Sequence, residues 1–263
     1  MSDHYAELLM YVAPEQVRKS SQQWLERIFE RLGLTRRRAD HLDLHSLWLA
    51  PELLVAQTCG YPLMTQLRGQ VRVIGRPRYE LPHSSDGVHC SLLLTREDNP
   101  RTCLQQFYDS RAVINGHDSN SGMNLLRERV APLQREGRFF ASVGISGAHR
   151  ESLRWLREGR ADLAAIDSVT FDYLARFAPV EVAGLRIVSR SAPSPTLPYI
   201  GPRSLSDERL EQIREAMNLA LRDLPQVGET LGLQAVLSAS EDDYRVLLDY
   251  QQQAEDSGYP VLV

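Results

Sequence analysis

The chain has 263 residues, of which 43% are hydrophobic and 24% are charged, a composition typical of a folded globular protein. This length allows one large domain or two lobes of roughly 100 to 150 residues each. The formal net charge of -4 argues against a general nucleic-acid-binding or anionic-membrane-binding surface, so any anion site is expected to be local. No apolar run approaches about 18 residues, so no membrane insertion is predicted.

The spacing of cysteine and histidine predicts neither a metal site nor a disulfide framework. The three cysteines form an odd set without metal-ligand spacing, so they are expected to be small buried thiols. The histidines at positions 41, 45 and 89 also lack a ligand constellation with defined spacing. We therefore expect no metal and no cofactor.

Strand-like and helical patterns alternate along the chain. The predicted strands lie at residues 6–13, part of 42–56, 71–74, 88–95, 112–114, 139–143, 161–166 and 185–188. The predicted helices lie at residues 15–34, 64–67, about 122–133, 150–158, 168–177, 206–221 and within 231–250. This alternation predicts an α/β fold whose sheet is parallel for the most part.

One stretch, residues 111–130, predicts a ligand site. It has the pattern of a short strand, a polar loop and a helix, with Ser119 and Ser121 as candidates for the helix N-cap and Gly122 allowing close backbone approach. Unpaired N–H groups and two hydroxyls would then converge at the positive end of a helix dipole, which is the outline of an anion site. The alternative is an ordinary cap on an ordinary loop.

Three segments together resemble a known family. They are Gln-Thr-Cys-Gly-Tyr-Pro at 57–62, the loop 115–122 with Ser-Asn-Ser-Gly, and Ser-Gly-Ala-His at 146–149 followed by the segment 159–167. In this order and spacing they resemble the phosphate/phosphonate-binding components of ABC importers, which have the type 2 periplasmic-binding-protein fold. The resemblance covers roughly residues 6 to 248.

The resemblance implies a two-lobed α/β fold with a central cleft. Residues 1–92 and 188–263 would form lobe 1 and residues 93–187 lobe 2, with the chain crossing between lobes near 91–95 and 187–191. A small oxyanion such as phosphate, phosphite or a phosphonate would bind between the lobes, for ABC import or in a cytoplasmic sensor, without catalysis. The alternative is an enzyme that uses the same fold on a small anionic substrate, because fold alone cannot decide.

The resemblance also implies a partner and a location. Import would require an ABC permease as the partner, and the location of the family is the periplasm. The first residues show no basic region followed by a long apolar region, so the sequence alone predicts no export leader and leaves a cytoplasmic location open.

In the second lobe, the resemblance gives the oxyanion-donor role to Ser119, Asn120 and Ser121, and a ligand contact to His149. From its position alone, His149 could instead be a capped or exposed histidine at a helix start. Asp167 follows a buried strand, and two interpretations stay open for it, a cap on the next helix or a ligand contact.

In the first lobe, the resemblance gives ligand contacts to Tyr61, through its ring or hydroxyl, and to Thr58. Cys59 lies between them, next to Gly60. No base is identifiably paired with this thiol, so inert packing is favoured over a nucleophilic role.

Overall fold

The computed structural model describes residues 3–39 and 41–263, and the chain divides into two compact units. Unit 1 consists of residues 1–88 and 195–244, and unit 2 consists of residues 89–194 and 245–263. Each unit has its own sheet with helices packed against it. The predicted α/β fold with two parts is therefore confirmed.

The helices are α1 (Glu15–Leu32), α2 (Leu44–Trp48), α3 (Gly60–Thr65), α4 (Leu125–Val130), α5 (His149–Arg157), α6 (Ser168–Phe177), α7 (Asp207–Asp223), α8 (Pro225–Leu231) and α9 (Val246–Asp256). The strands are β1 (Asp3–Glu7), β2 (Thr35–Arg37), β3 (Leu53–Gln57), β4 (Val71–Tyr79), β5 (Val88–His89), β6 (Ser91–Arg96), β7 (Arg111–Ile114), β8 (Ser142–Ile145), β9 (Leu163–Asp167), β10 (Leu185–Arg190), β11 (Ser194–Pro195), β12 (Tyr199–Pro202) and β13 (Leu233–Leu237).

The sheet of unit 1 has the strand order β13-β4-β12-β3-β1-β2. Strand β1 is parallel to β2 and β3, whereas β12 is antiparallel to both β3 and β4. Helices α1 and α7 pack together on this unit, and Trp24 of α1, which is fully buried, donates from Nε1 to the backbone oxygen of Met217 at 3.0 Å. Burial of such an apolar helix face is the main source of stability for a surface helix.

The sheet of unit 2 has the strand order β10-β6-β9-β7-β8. Strand β7 is parallel to β8 and β9, whereas β6 is antiparallel to β9 and β10. Every residue of β9 is buried, since this strand lies in the interior of the sheet with helices against it. The apolar core around it comprises Leu92, Leu94, Val113, Leu153, Leu156, Ala161, Ala164, Ile166 and Leu174.

The expectation of a mostly parallel sheet is wrong. Both sheets are mixed. In unit 2, β6 is antiparallel to β9 and β10, and in unit 1, β12 is antiparallel to β3 and β4. These strands lie next to places where the chain passes between the units. Helical periodicity and strand alternation identify elements, but they carry no information about the direction in which a strand enters the sheet.

The division of the chain differs from the predicted lobes in two respects. The chain passes between the units at 88/89, 194/195 and 244/245. The first two crossings fall within the paired short strands β5 and β11, whereas the predicted crossing segments form β6 and β10 of the unit 2 sheet. In addition, residues 245–263 belong to unit 2, although they were expected in lobe 1. The reason is that α9 packs against α4, and the last residue accepts hydrogen bonds from the N–H groups of Phe139 and Phe140.

Candidate functional site

The start of β6 brings two predicted site regions together in unit 2. Ser91 is the cross-strand partner of Asp167, at the end of β9. The Ser91 hydroxyl donates to the backbone oxygen of Ser121 at 2.8 Å, and the Ser91 N–H donates to the Ser191 hydroxyl, also at 2.8 Å. Asp167 and the turn that contains Ser121 are thereby fixed as neighbours.

The turn at 119–124 has the capped start that the sequence predicts. Residues 120–124 form one π-helical turn that continues directly into α4. Ser119 is the N-cap, and its Oγ accepts the N–H of Gly122 at 2.9 Å. Since the first N–H groups of a helix have no partner within the helix, this buried start can present donors to an anion.

Gly122 lies where a side chain has no room. A Cβ at this position would be 1.8 Å from Oδ1 of Asn115 and 3.2 Å from Oγ of Ser119. A side chain at position 122 therefore requires the amide group of Asn115 to move.

Ser121 and His149 are in contact. Oγ of Ser121 lies 2.9 Å from Nε2 of His149, the first residue of α5. The other ring nitrogen of His149, Nδ1, is buried and has no hydrogen-bond partner among the described residues. Two residues that were predicted as ligand contacts from separate segments are therefore in contact, and Nδ1 of His149 remains without a hydrogen-bond partner among the described residues.

The side chain of Asn120 is engaged in a buried polar network. Its amide nitrogen donates to the Ser194 hydroxyl at 2.9 Å, and its amide oxygen accepts from Asn124 at 3.2 Å. Asn124 in turn donates to the backbone oxygen of Leu247 and accepts from Arg127 at 2.8 Å. Because both ends of its amide have protein partners, Asn120 can serve an anion through its backbone N–H.

Asp167 is the N-cap of α6, which is one of the two interpretations that the sequence leaves open. Its Oδ1 accepts the N–H of Thr170 at 2.9 Å at the start of α6. Its Oδ2 lies 2.9 Å from Nδ1 of His89, and the two side chains are 3% and 1% exposed.

Two pKa values in this cluster are displaced. The pKa of His149 lies below its ordinary value of 6.5, chiefly because burial disfavours the charged ring; Asp167 opposes this shift and His89 adds to it. The pKa of Asp167 also lies below its ordinary value of 3.8. Burial acts to raise it, but the charges of His89 and His149 and the N–H of Thr170 outweigh burial. Near neutral pH, therefore, His149 is neutral and Asp167 is ionised.

The two predicted residues of the first lobe lie in unit 1, and both are buried. The Thr58 hydroxyl donates to the backbone oxygen of Cys59 at 3.2 Å, and the Thr58 N–H donates to the backbone oxygen of Pro198. Tyr61 lies in the first turn of α3. A ligand contact for either residue stays a prediction.

A further concave region in unit 1 includes none of the predicted site residues. Its volume is about 330 Å³, and the residues that line it include Arg72, Asp207, Glu211, Arg214 and Glu241. Each guanidinium group already has a carboxylate partner, Arg72 with Asp207 and Arg214 with Glu211. We assign this region no function.

His89 and Ser91 are the site residues that the sequence did not reveal. His89 lies in a short strand and has no other potential ligand residue at a defined spacing from it. Ser91 is a small residue at the start of a largely apolar strand. Their roles depend on the pairing of β6 with β9, which brings together residues about 75 positions apart in the sequence. No local pattern could have indicated them.

Several solved structures have the same fold as this chain. A binding protein component of an ABC phosphonate transporter from Pseudomonas aeruginosa (PA3383) is 13% identical over 97% of this chain and 87% of that chain, with a TM-score of 0.79. PhnD1 from Prochlorococcus marinus (MIT 9301), in complex with methylphosphonate, is 11% identical over 97% and 98%, with a TM-score of 0.75. XAC2383 from Xanthomonas citri, bound to ATP, is 15% identical over 98% of both chains, with a TM-score of 0.67. The predicted periplasmic-binding-protein-like fold is confirmed.

The family follows from a sequence model. The model of the phosphonate-binding family, described as ABC transporter, phosphonate, periplasmic substrate-binding protein, matches residues 52–244, and the chain belongs to this family. The resemblance inferred from the three segments is therefore confirmed. No curated protein matches the chain. Among the described residues, no helix has the length and apolar character needed to cross a bilayer.

Proposed function

We propose that this protein captures a small phosphorus oxyanion, such as phosphate, phosphite or a phosphonate, and delivers it to an ABC permease. The proposed anion site is the cluster of Ser119, Asn120, Ser121 and His149 in unit 2. The hydroxyls of the two serines, the N–H groups at the start of the helix and the imidazole supply directed donors to a tetrahedral anion. For Thr58 and Tyr61 we propose supporting contacts to the same ligand.

The observation that carries the proposal is the meeting of Ser121 with His149 at the buried, capped start of a helix. Hydrogen bonds to a charged group are about twice as strong as those between neutral groups, so a few such donors give selective binding. The ligands of the solved relatives agree with this chemistry, since methylphosphonate and ATP both carry phosphorus oxyanions.

We infer that binding occurs without turnover. A serine 2.9 Å from an imidazole nitrogen is the first half of a nucleophile and base pair, which is what an enzyme of this fold would need. The second half is a group that orients the base. Nδ1 of His149 has no such partner among the described residues, which favours binding over catalysis.

The experiment is a ligand screen by thermal shift with phosphate, phosphite, methylphosphonate, ATP and sulfate, followed by calorimetry on the tightest ligand. A ligand at 100 times its dissociation constant stabilises the protein by about 2.7 kcal/mol. Stabilisation by at least one phosphorus oxyanion is expected, and a product assay on the same ligand is expected to detect no hydrolysis. If none of the phosphorus oxyanions stabilises the protein, the proposal is wrong.

A matched pair of variants tests the position of the site. Ser121→Ala removes one donor to a charged ligand, a loss of roughly 1.5 to 3 kcal/mol, so affinity falls about tenfold or more. Ser142→Ala is the control, because Ser142 is an exposed residue of β8 in the same unit, and it leaves affinity unchanged. Equal affinities for both variants would remove Ser121 from the site.

A further inference from the structure

Arg76 is a cation of unit 1 without a partner among the described residues. It lies in β4 and is partly buried, and its Nε is buried without a hydrogen-bond partner. Arg72 and Arg214 of the same unit each pair with a carboxylate, whereas Arg76 forms no ion pair with any described residue. Partial burial of a charge is costly unless a group of opposite charge accompanies it, so an anionic partner is expected for Arg76.

The sheet of unit 1 places Arg76 beside the segment 58–61, which contains both residues proposed for the ligand in this unit. Tyr199, at the start of β12, pairs with Gln57 of β3 on one side and with Gly75 of β4 on the other. Both β3 and β4 run antiparallel to β12, so Thr58 and Arg76 follow this row in the same direction. Two strand spacings of roughly 4.8 Å put their backbones about 10 Å apart.

The hydroxyl of Tyr244 shows that the side chain of Arg76 also lies near this segment. The pKa of Tyr244 lies well above its ordinary value of 10.0, chiefly because the residue is buried; Arg76 lowers this pKa and Cys59 raises it. Helix α3, which begins within the segment 58–61, packs against residues 241–244. Arg76 and Cys59 are therefore both close to one buried hydroxyl.

The end of the guanidinium group is open to a ligand. Its Nε is covered by Gly87, where a Cβ would be 3.1 Å from this atom. The terminal nitrogens Nη1 and Nη2 are not buried and have no protein acceptor among the described residues. Asp243 also acts on the Tyr244 hydroxyl, but its Oδ2 accepts the N–H of Ser240, and it forms no ion pair with Arg76.

The residues proposed for the anion site in unit 2 carry no positive charge near neutral pH. Their hydroxyls and amide are neutral, and burial lowers the pKa of His149, so the ring is neutral as well. A guanidinium group, in contrast, stays charged and presents parallel N–H donors that match two oxygens of a phosphorus oxyanion.

We propose that Arg76 is a ligand-binding residue, through which unit 1 provides the positive charge that balances the bound phosphorus oxyanion. This inference rests on the proposed function, because it concerns the same ligand. Arg76 adds a charged contact to the contacts proposed for Thr58 and Tyr61.

The test uses Arg76→Gln and Arg76→Lys, with dissociation constants for methylphosphonate and phosphate measured by calorimetry at pH 7.5. Arg76→Gln removes a charge-assisted contact, so affinity falls about tenfold or more. Arg76→Lys keeps the charge but loses the parallel donors, so its affinity lies between those of Arg76→Gln and the wild type. Arg203→Gln is the control, because it removes the same charge at an exposed position of unit 1, and it leaves both constants unchanged.

The lysine variant decides between a charge effect and a packing effect. Both replacements keep much of the aliphatic stem, but only lysine keeps the charge. If Arg76 only packs against Gly87, Arg76→Lys and Arg76→Gln bind equally weakly, and the inference is overturned.

A second measurement needs no variant and therefore holds even if Arg76→Gln does not fold. Phenylglyoxal reacts with accessible guanidinium groups, and mass spectrometry locates the modified arginines. Methylphosphonate at ten times its dissociation constant occupies about nine tenths of the wild type, so modification of Arg76 slows about tenfold and that of Arg203 does not. Equal rates at Arg76 with and without methylphosphonate overturn the inference.

The outcomes also separate this inference from the function on which it rests. A wild type that binds the anions together with an Arg76→Gln variant that binds equally well overturns the role of Arg76 alone. A wild type that binds neither methylphosphonate nor phosphate contradicts the proposed function, and the inference falls with it.

Discussion

Ser119 and Ser121 lie two positions apart, yet the structure gives them different partners. The hydroxyl of Ser119 closes the helix start by accepting the N–H of Gly122, whereas the hydroxyl of Ser121 meets His149. Ser119 can therefore have a structural role, a ligand-binding role or both. The choice of replacement residue separates these roles, because glycine is a good N-cap and alanine is a poor one.

We predict that Ser119→Ala and Ser119→Gly differ in stability and agree in affinity. The alanine variant loses about 1 kcal/mol of unfolding free energy, and the glycine variant only a few tenths. Both lack the hydroxyl, so both bind the best ligand of the screen about tenfold more weakly. Urea denaturation and calorimetry supply the two measurements. A glycine variant with wild-type affinity would mean that Ser119 serves the helix alone.

His149 makes stability depend on pH in a defined window. Its folded pKa lies below 6.5 because burial disfavours the imidazolium. Between that folded pKa and about 6.5, the unfolded chain binds more protons than the folded one, so stability increases with pH. The contribution of His149 is therefore complete above about 6.5 and is lost as the pH falls through the folded pKa.

We predict that wild type loses stability faster than His149→Gln when the pH falls from 7.5 to 5.5. The difference amounts to at most about 1.4 kcal/mol per pH unit, which is the slope for one proton. Denaturation with urea at pH 7.5, 6.5 and 5.5 measures it, with His45→Gln as the control. Parallel curves for wild type and His149→Gln would show that the ring does not titrate in this range.

The lowered pKa also changes the expectation for binding. An anion beside His149 favours the imidazolium, so binding raises the pKa of the ring and takes up a proton. A ring with an ordinary pKa would give increasing affinity as the pH approaches 6.5. Since the free ring has a lower pKa, the rise in affinity continues below 6.5, until protonation of the ligand opposes it.

At the scale of elements, the site depends on how closely the end of β7 approaches the helix that follows it. Gly122 faces Asn115, whose Oδ1 would lie 1.8 Å from a Cβ at position 122. That oxygen is buried and has no hydrogen-bond partner among the described residues. Asn115 is therefore a neighbour whose shortening would cost few interactions.

We predict that Gly122→Ala lowers the unfolding free energy by about 1 to 3 kcal/mol, the usual cost of overpacking. The second variant, Asn115→Ala with Gly122→Ala, should recover part of this loss because the clashing atoms are absent. Thermal or urea unfolding of Gly122→Ala, Asn115→Ala and the double variant measures the interaction energy between the two positions. Additive losses of unfolding free energy would show that there is no steric clash between positions 115 and 122.

The helices and strands that were predicted best are those that depend on local sequence patterns. Helix α6 has the predicted bounds, and α1 ends at Leu32, slightly before the predicted end, where Gly33 has a positive φ of 62°. Residues 44–48 were expected to belong to a strand, but they form α2, because Asp43 caps them through the N–H of Ser46. Strand β13 lies within residues 231–250, a segment in which only a helix was predicted. In both cases, short apolar runs fit either periodicity, and the tertiary partner decides.

The candidate site could be predicted only in part, for the same reason. The serines at 119 and 121 belong to a continuous loop and helix, so their capping chemistry is visible in the sequence. The ligand contact predicted for His149 rests on the family resemblance, and no sequence pattern connects this residue to Ser121. The pairing of His89 with Asp167 requires β5, β6 and β9 to be in place, and a single sequence contains no signal for such a long-range register.

At the scale of the whole molecule, the chain returns to unit 2 for its last segment. There, the side chain of Arg127 donates to the backbone oxygen of Pro260 at 2.8 Å, and Tyr259 is fully buried. The backbone oxygen of Val263 accepts the N–H groups of Phe139 and Phe140, both at 3.0 Å. The stability of unit 2, and with it the proposed anion site, therefore depends on residues at the end of the chain.

We predict that deleting residues 259–263 destabilises unit 2 and leaves unit 1 unaffected. Loss of a buried aromatic side chain costs about 3 to 5 kcal/mol. Hydrogen exchange at the amides of Phe139 and Phe140 should accelerate by about tenfold or more, because their acceptor is removed. Exchange in β3 of unit 1 should stay at the wild-type rate, as should exchange throughout Val261→Ala, whose side chain is 58% exposed. Equal acceleration in both units would contradict the assignment of the last segment to unit 2, and unchanged rates at Phe139 and Phe140 would show that the terminal contacts do not hold this unit together.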